Sequence, residues 1–146
     1  MRPFLFDTTV FVYAVGAPHA YREPCRAILE RARADTRLGA ATVGVLHELA
    51  HITLRRTGDR ALSRDRARRA GAICTAVYDC ERRDLDAALD LLAQHGRLDV
   101  ADAVTTATAL NRGVGTILSA ARDFEGIQGV ERVDPAEERE VAALIA

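Results

Sequence analysis

The sequence predicts an α/β fold, a sandwich in which helices flank a mainly parallel sheet. Short apolar runs of strand length alternate with longer segments whose apolar residues recur at helical spacing. Glycine, proline and asparagine fall between these segments, where chain turns are needed. No repeat, low-complexity tract or long linker divides the 146 residues, so one domain over 1–146 is expected.

Arg2 to Phe6 reads as a first strand ending at Asp7, with Thr8 and Thr9 as caps for the next segment. Val10 to Val15 continues apolar until Gly16 and Pro18 stop it. His19 to Arg33 suits a helix, with Cys25, Ile28, Leu29 and Ala32 on one side. Residues 37–41 form a candidate strand. Thr42 then looks like the N-cap of a helix over Val43 to Arg56, whose apolar side carries Val45, Leu46, Leu49, Ile52 and Thr53. Gly58 breaks the chain before a second helix, Ala61 to Ala72. Thr75 to Tyr78 reads as a strand, and the charged stretch from Glu81 to Asp86 leads into a helix through Leu92.

The stretch LDVADAVTTATALNRGVGTILSAARDF, Leu98 to Phe124, organises the rest. Asp99 and Asp102 open a helix three residues apart, so they share a face. Gly113 and Gly115, after Asn111 and Arg112, mark its exit. Val114 to Leu118 is a buried strand, and Ser119 to Asp123 an acidic turn at its carboxyl end, where α/β folds collect ligands. Val130 to Val133 gives an edge strand, and Pro135 begins a short helical tail.

The formal net charge is −1, so no global field announces a polyanionic partner. The distribution says more. All 20 basic residues are arginine, and seven of them lie between Arg55 and Arg69. Such a run is either a solvated helix face or a patch for phosphate, whose oxygens the guanidinium fork matches. Cys25, Cys74 and Cys80 show no C-x-x-C spacing and read as buried reduced thiols in a cytosol. Asp7 interrupts the apolar start, which reads as strand and turn rather than a signal peptide. No apolar run is long enough to span a membrane.

Three groups of residues carry candidate chemistry. Asp7 follows a strand directly, as a turn former, an N-cap or a ligand. Asp99 and Asp102 have a helix-capping reading, N-cap plus third position, beside the functional one. Glu48 borders the buried side of its helix, where a carboxylate must be paired, protonated or metal-bound. His47-Glu48-x-x-His51 also matches H-E-x-x-H, the zinc-peptidase arrangement in which the metal polarises a water and the glutamate takes its proton. Leu54 and Thr57 stand where an extended motif of that kind has Gly and His, so a third ligand is missing. His47 and His51 therefore read as helix-surface histidines or as histidines that support other ligands from behind. The alternative is convergence of Asp7, Glu48 and Asp102 at one sheet edge. Hard oxygen ligands there favour magnesium or manganese, and a phosphodiester would complete such a site.

FLFDTTVFVYA, VGVLHELAHI and DVADAVTTATALNRGVGTILSAARDF together resemble the PIN-domain ribonucleases of the VapC toxin type, over nearly the whole chain. The adjoining GIQGVERVDP is similar to that family's closing loop and edge strand. The resemblance implies a three-layer PIN-like sandwich and an endoribonuclease that uses Mg2+ or Mn2+ to leave a 5′-phosphate and a 3′-hydroxyl. It implies metal coordination by Asp7, Glu48 and Asp102, with Asp99 and Asp123 as auxiliary acids and Thr9 and Ser119 hydrogen-bonding the ligands. It further implies an RNA substrate, a VapB-type antitoxin, a homodimer in the cytoplasm, and RNA or antitoxin contact by Arg55, Arg56, Arg64 and Arg68. One departure stands out: many relatives carry Asp three residues before the Phe, where this chain has Ala121. A PIN module that binds RNA or antitoxin with impaired catalysis is the corresponding alternative.

Overall fold

Five strands of two or three residues, all paired in parallel, form the centre of the computed structural model, which describes residues 2–146. β1 (Leu5–Phe6) pairs with β4 (Thr116–Leu118), and β4 pairs with β5 (Glu131–Val133). β2 (Ala41–Thr42) pairs with β3 (Val77–Tyr78). A parallel bridge between Leu5 and Ala40 joins the two sets, with Phe6 donating to the Ala40 carbonyl at 2.8 Å. The strand order is therefore β3-β2-β1-β4-β5. It reverses between β1 and β4, so the crevice at that switch point opens at the carboxyl ends of these two strands.

Seven helices flank this sheet: α1 (Thr8–Val15), α2 (Arg22–Ala34), α3 (Val43–Thr57), α4 (Arg60–Ala72), α5 (Arg82–Gln94), α6 (Val100–Asn111) and α7 (Glu138–Ile145). Phe4, Phe6 and Phe11 pack edge-on and tilted at centroid distances of 5.0 and 5.6 Å, and Val10, Val45, Leu49 and Leu118 close around them. Gly39 lies so near these rings that a Cβ there would stand 2.6 Å from Phe4 Cε2. Burial also pushes the Cys25 and Cys74 thiols up to about 12, so both stay protonated and chemically quiet. Cys80, expected to be buried, is exposed in the loop between β3 and the helix from Arg82.

Several ends differ from the sequence expectation for local reasons. Asp7, rather than Thr8 or Thr9, caps α1, its carboxylate accepting from the Thr9 amide. α2 begins at Arg22 because His19 Nδ1 accepts from the Tyr21 amide at 3.1 Å and holds 19–21 as a turn. The tail helix starts at Glu138 rather than Pro135, since Asp134 Oδ1 takes the Ala136 amide at 2.9 Å in an Asx turn. β1 is shorter than Arg2 to Phe6, and Arg2 instead pairs with Glu131 at 2.7 Å.

α5 and α6 are locked by a group that sequence periodicity does not show. Asp84, fully buried in the first turn of α5, accepts from Arg112 Nη1 and Nη2 at 3.0 Å each and from Asn111 Nδ2 at 2.7 Å. Its second oxygen also takes the Glu81 amide at 2.8 Å, completing a capping box. The Arg112 guanidinium holds the Asp84 carboxyl well below the usual carboxylate range. A depressed folded-state pKa gives stability that is present above the unfolded value of about 3.9 and lost as pH falls toward the folded one. Asp84→Ala is expected to cost roughly 3 kcal/mol in urea unfolding at pH 7, and Asp84→Asn to flatten the acid limb of the stability curve below about pH 5. A negligible loss would mean that Arg112 re-pairs with Glu81, 3.6 Å away.

Candidate active site

The end of β1 delivers Asp7 and the end of β4 delivers Ser119 to the same crevice. The Asp7 amide donates to Leu118 O at 3.0 Å, and the Ser119 amide to Val133 O at 3.1 Å, so both positions are fixed by the sheet. Asp7 is 3% exposed. Its Oδ2 accepts from Ser119 Oγ at 2.7 Å and from Thr9 Oγ1 at 2.9 Å. Each hydroxyl is itself oriented from behind. The Ala121 amide donates to Ser119 Oγ at 2.9 Å, and the Ala120 amide to Thr9 Oγ1 at 3.0 Å. Among the described residues no side chain hydrogen-bonds Oδ1, so one carboxylate oxygen is held and the other is left to a ligand.

Three more elements bring acids toward Asp7. Thr42 caps α3 by accepting the Val45 amide at 3.0 Å, and that helix carries half-buried Glu48. Asp99 caps α6 by accepting the Asp102 amide at 2.7 Å, so these two acids take the capping arrangement expected for them. Asp123 lies in a 3-10 turn, Arg122–Phe124, pinned by buried Phe124, and sits 3.7 Å from Arg97 Nε.

The charges feel one another. Burial, then the neighbouring carboxylates of Asp7, Asp99, Glu48 and Asp123, push Asp102 up to about 8. Burial raises Glu48 as well, followed by the charges of Asp7 and Asp99. Asp7 is raised by burial against the opposing pull of its hydroxyl and amide donors. The buried Thr8 hydroxyl has no partner of good hydrogen-bond geometry, although it lies near enough to Glu48 to oppose that rise.

Among the described residues, no three His, Cys, Asp or Glu side chains stand close enough together to grip one ion as they are. The acids therefore converge electrostatically without forming a closed ligand cage. Their donors are nevertheless all hard oxygens in mutual repulsion, with a free Asp7 oxygen and an orphaned Thr8 hydroxyl beside them. That set fits a small divalent cation. His47 and His51 are both on α3, and neither belongs to a three-ligand group.

A cleft of ≈ 380 Å³ adjoins the acids, lined by Thr8, Thr9, Tyr13, His19, Glu48 and Arg56 among others. Of the four arginines singled out in the sequence, Arg56 lines this cleft. Arg55, Arg64 and Arg68 lie outside it, and Arg64 pairs with Asp65 at 2.9 Å. The acidic loop has a brace that sequence reasoning missed. Arg132 on β5 donates to the Ser119 carbonyl at 3.0 Å and the Ala120 carbonyl at 3.1 Å, and reaches Glu125 and Asp134 at 2.8 and 3.2 Å. Tyr21 Oη donates to the same Asp134 carboxylate at 2.9 Å. The partners that matter are main-chain carbonyls, which leave no mark in a sequence.

Residues 4–130 match the PIN domain family model. Ribonuclease VapC7 of Mycobacterium tuberculosis is 34% identical over 139 residues, covering 90% of each chain. The chain belongs to the PIN-domain family, of the VapC type. Solved structures with the same fold include the sarcin-ricin loop cleaving toxin VapC20 of M. tuberculosis, at a TM-score of 0.65 and 19% identity over 88% of this chain and 98% of that one. DNA-bound VapBC from Salmonella typhimurium superposes at a TM-score of 0.68, with 18% identity over 92% and 99% of the two chains. The PIN match takes in Asp7, Glu48, Asp99, Asp102 and Asp123, and stops short of Arg132.

The raised Asp102 makes a prediction for this PIN domain. Below about pH 8 its carboxyl holds a proton, which a cation would have to displace if Asp102 were one of its ligands. Calorimetric titration with Mn2+ should show affinity rising up to about tenfold per pH unit from pH 6 to 8 and levelling above. About one proton should be released per ion near pH 7. An affinity flat across this range would remove Asp102 from the ligand set.

Proposed function

We propose that this chain is the toxin of a VapBC-type toxin–antitoxin pair and an endoribonuclease dependent on Mg2+ or Mn2+. The observation that carries the reading is the hydroxyl-braced Asp7 carboxylate at the sheet's switch point, electrostatically coupled to Asp102 and Glu48. Asp7, Glu48 and Asp102 would hold the metal, with Asp99 and Asp123 as flanking acids. When bound, a hard divalent cation neutralises phosphodiester charge and acidifies a water. Thr9 and Ser119 fix Asp7 Oδ2, which would leave Oδ1 for the metal. Arg56 places a positive charge in the cleft beside Glu48, where an RNA phosphate needs one.

The toxin-antitoxin complexes among the structural neighbours support an antitoxin partner. Leu85 and Leu89, exposed one turn apart on α5 at 42% and 49%, suit a contact between copies of the chain in a homodimer. Among the described residues no helix is long and apolar enough to cross a membrane. The location proposed with this function is the cytoplasm.

Incubation with total RNA and Mn2+ tests the assignment. The parent should cut, Asp7→Asn should be silent, and Thr9→Val and Ser119→Ala should each lose about 10- to 100-fold while still folding. Equal activity in Asp7→Asn would overturn the assignment of the site.

Ala121 presents a methyl group in the acidic loop, and this favours a second reading in which the chain binds RNA or antitoxin with weakened catalysis. Ala121→Asp is expected to raise Mn2+ stoichiometry and cleavage together. Cleavage by Ala121→Asp alone would make the natural chain the impaired module, and unchanged binding and activity would make Ala121 neutral.

A further inference from the structure

We propose that the cleft beside Glu48 receives one unpaired RNA base, stacked on Tyr13 and His19, with an adjoining phosphate on Arg56. The proposal rests on the ribonuclease reading and gives that site its substrate subsite. Tyr13, His19 and Tyr21 form a cluster of three rings at the end of α1. Tyr13 and His19 stack at 4.6 Å with planes 30° apart, His19 and Tyr21 stand 5.8 Å apart at 9°, and Tyr13 and Tyr21 at 5.3 Å.

The rings are held before any ligand arrives. His19 Nδ1 accepts from the Tyr21 amide at 3.1 Å, which leaves Nε2 as its donor, and Tyr21 Oη is committed to Asp134 at 2.9 Å. His19 is nevertheless exposed, and with half-buried Tyr13 it lines the cleft that Glu48, Arg56 and Thr8 share. Packing of Tyr13 and Tyr21 against the core orders the cluster, and the part of it that lines the cleft suits the face of a nucleobase.

The remaining groups match the rest of a nucleotide. Arg56 supplies a cation for phosphate within the cleft. The volume of ≈ 380 Å³ lies at the small end of the roughly 300–1,000 Å³ typical of ligand pockets, as one base requires. Because Glu48 belongs both to this cleft and to the acidic set, the stacked base would neighbour the scissile phosphate. Cleavage would then favour single-stranded or looped RNA.

A pool of 12-nucleotide RNAs, each carrying one 2-aminopurine in a randomised sequence, provides the probe. Binding is read by fluorescence quenching in EDTA, and cleavage by initial rates in Mn2+. The parent should quench the base. Tyr13→Leu and His19→Ala should abolish quenching, weaken RNA binding about 5- to 100-fold and raise KM with little change in kcat, while Tyr13→Phe behaves as the parent. Unchanged quenching and KM in folded Tyr13→Leu and His19→Ala would overturn the stacking site and leave the ribonuclease assignment standing. Loss of antitoxin binding with RNA binding intact would also overturn it, assigning the rings to a protein partner. A parent that neither binds nor cuts any RNA would remove both.

Discussion

The buried carboxylate at the end of β1 is the constraint on which the molecule's architecture turns. Asp7 sits where the strand order reverses, capping the start of α1 on one side and held on the other by a hydroxyl from the end of β4. A lone ionised carboxylate in that position would be strongly disfavoured. The fold answers with donors from two chain segments far apart in sequence, Thr9 and Ser119, each steadied by a backbone amide of the acidic loop. The same bonds that make the charge tolerable therefore also clamp β1, α1 and the acidic loop together. Here the geometry of the candidate site and the closure of the sheet are one set of interactions.

The acids around Asp7 come from three further places, and none neutralises another. Their mutual repulsion helps to raise the Asp102 carboxyl, and of these acids Asp123 has an ion pair, with Arg97 at 3.7 Å. The arginines, numerous as they are, mostly stay away. Arg112 is committed to Asp84 and Arg132 to the loop carbonyls, while Arg56 stands at the cleft without closing over the carboxylates. A cluster of acids with so few basic partners suits the cation site proposed above.

Much of this was legible in the sequence because it depends on periodicity and on ends of elements. The alternation of short apolar runs and helical spacing gave the order of strands and helices, and an acid directly after a strand marked Asp7. Glu48 drew notice because a carboxylate beside Val45 and Ile52 breaks an apolar face. Asp99 and Asp102 showed their spacing, and the capping bond between them does form. What stayed hidden depends on long-range contact. Asp84 looked like one more charge in a charged stretch, yet it is fully buried against residues 27 and 28 positions away. The orientation of Arg132 toward main-chain oxygens has no sequence signature. The ring cluster was equally silent, because Tyr13, His19 and Tyr21 follow neither a helical nor a strand period across the turn that joins α1 to α2.

The brace on β5 bears on where this domain can be said to end. The stretch shared with the family model closes at residue 130, but the guanidinium that fixes the acidic loop comes from position 132, and its carboxylate companion from 134. β5 also completes the sheet beside β4, and buried Leu144 and Ile145 from the tail helix join the main core. A boundary drawn from family similarity would thus excise an outer strand and leave the loop's carbonyls facing water. The sheet and its core extend past the most recognisable stretch, and Arg132 with Asp134 buttresses a site to which neither contributes an acid proposed as a ligand.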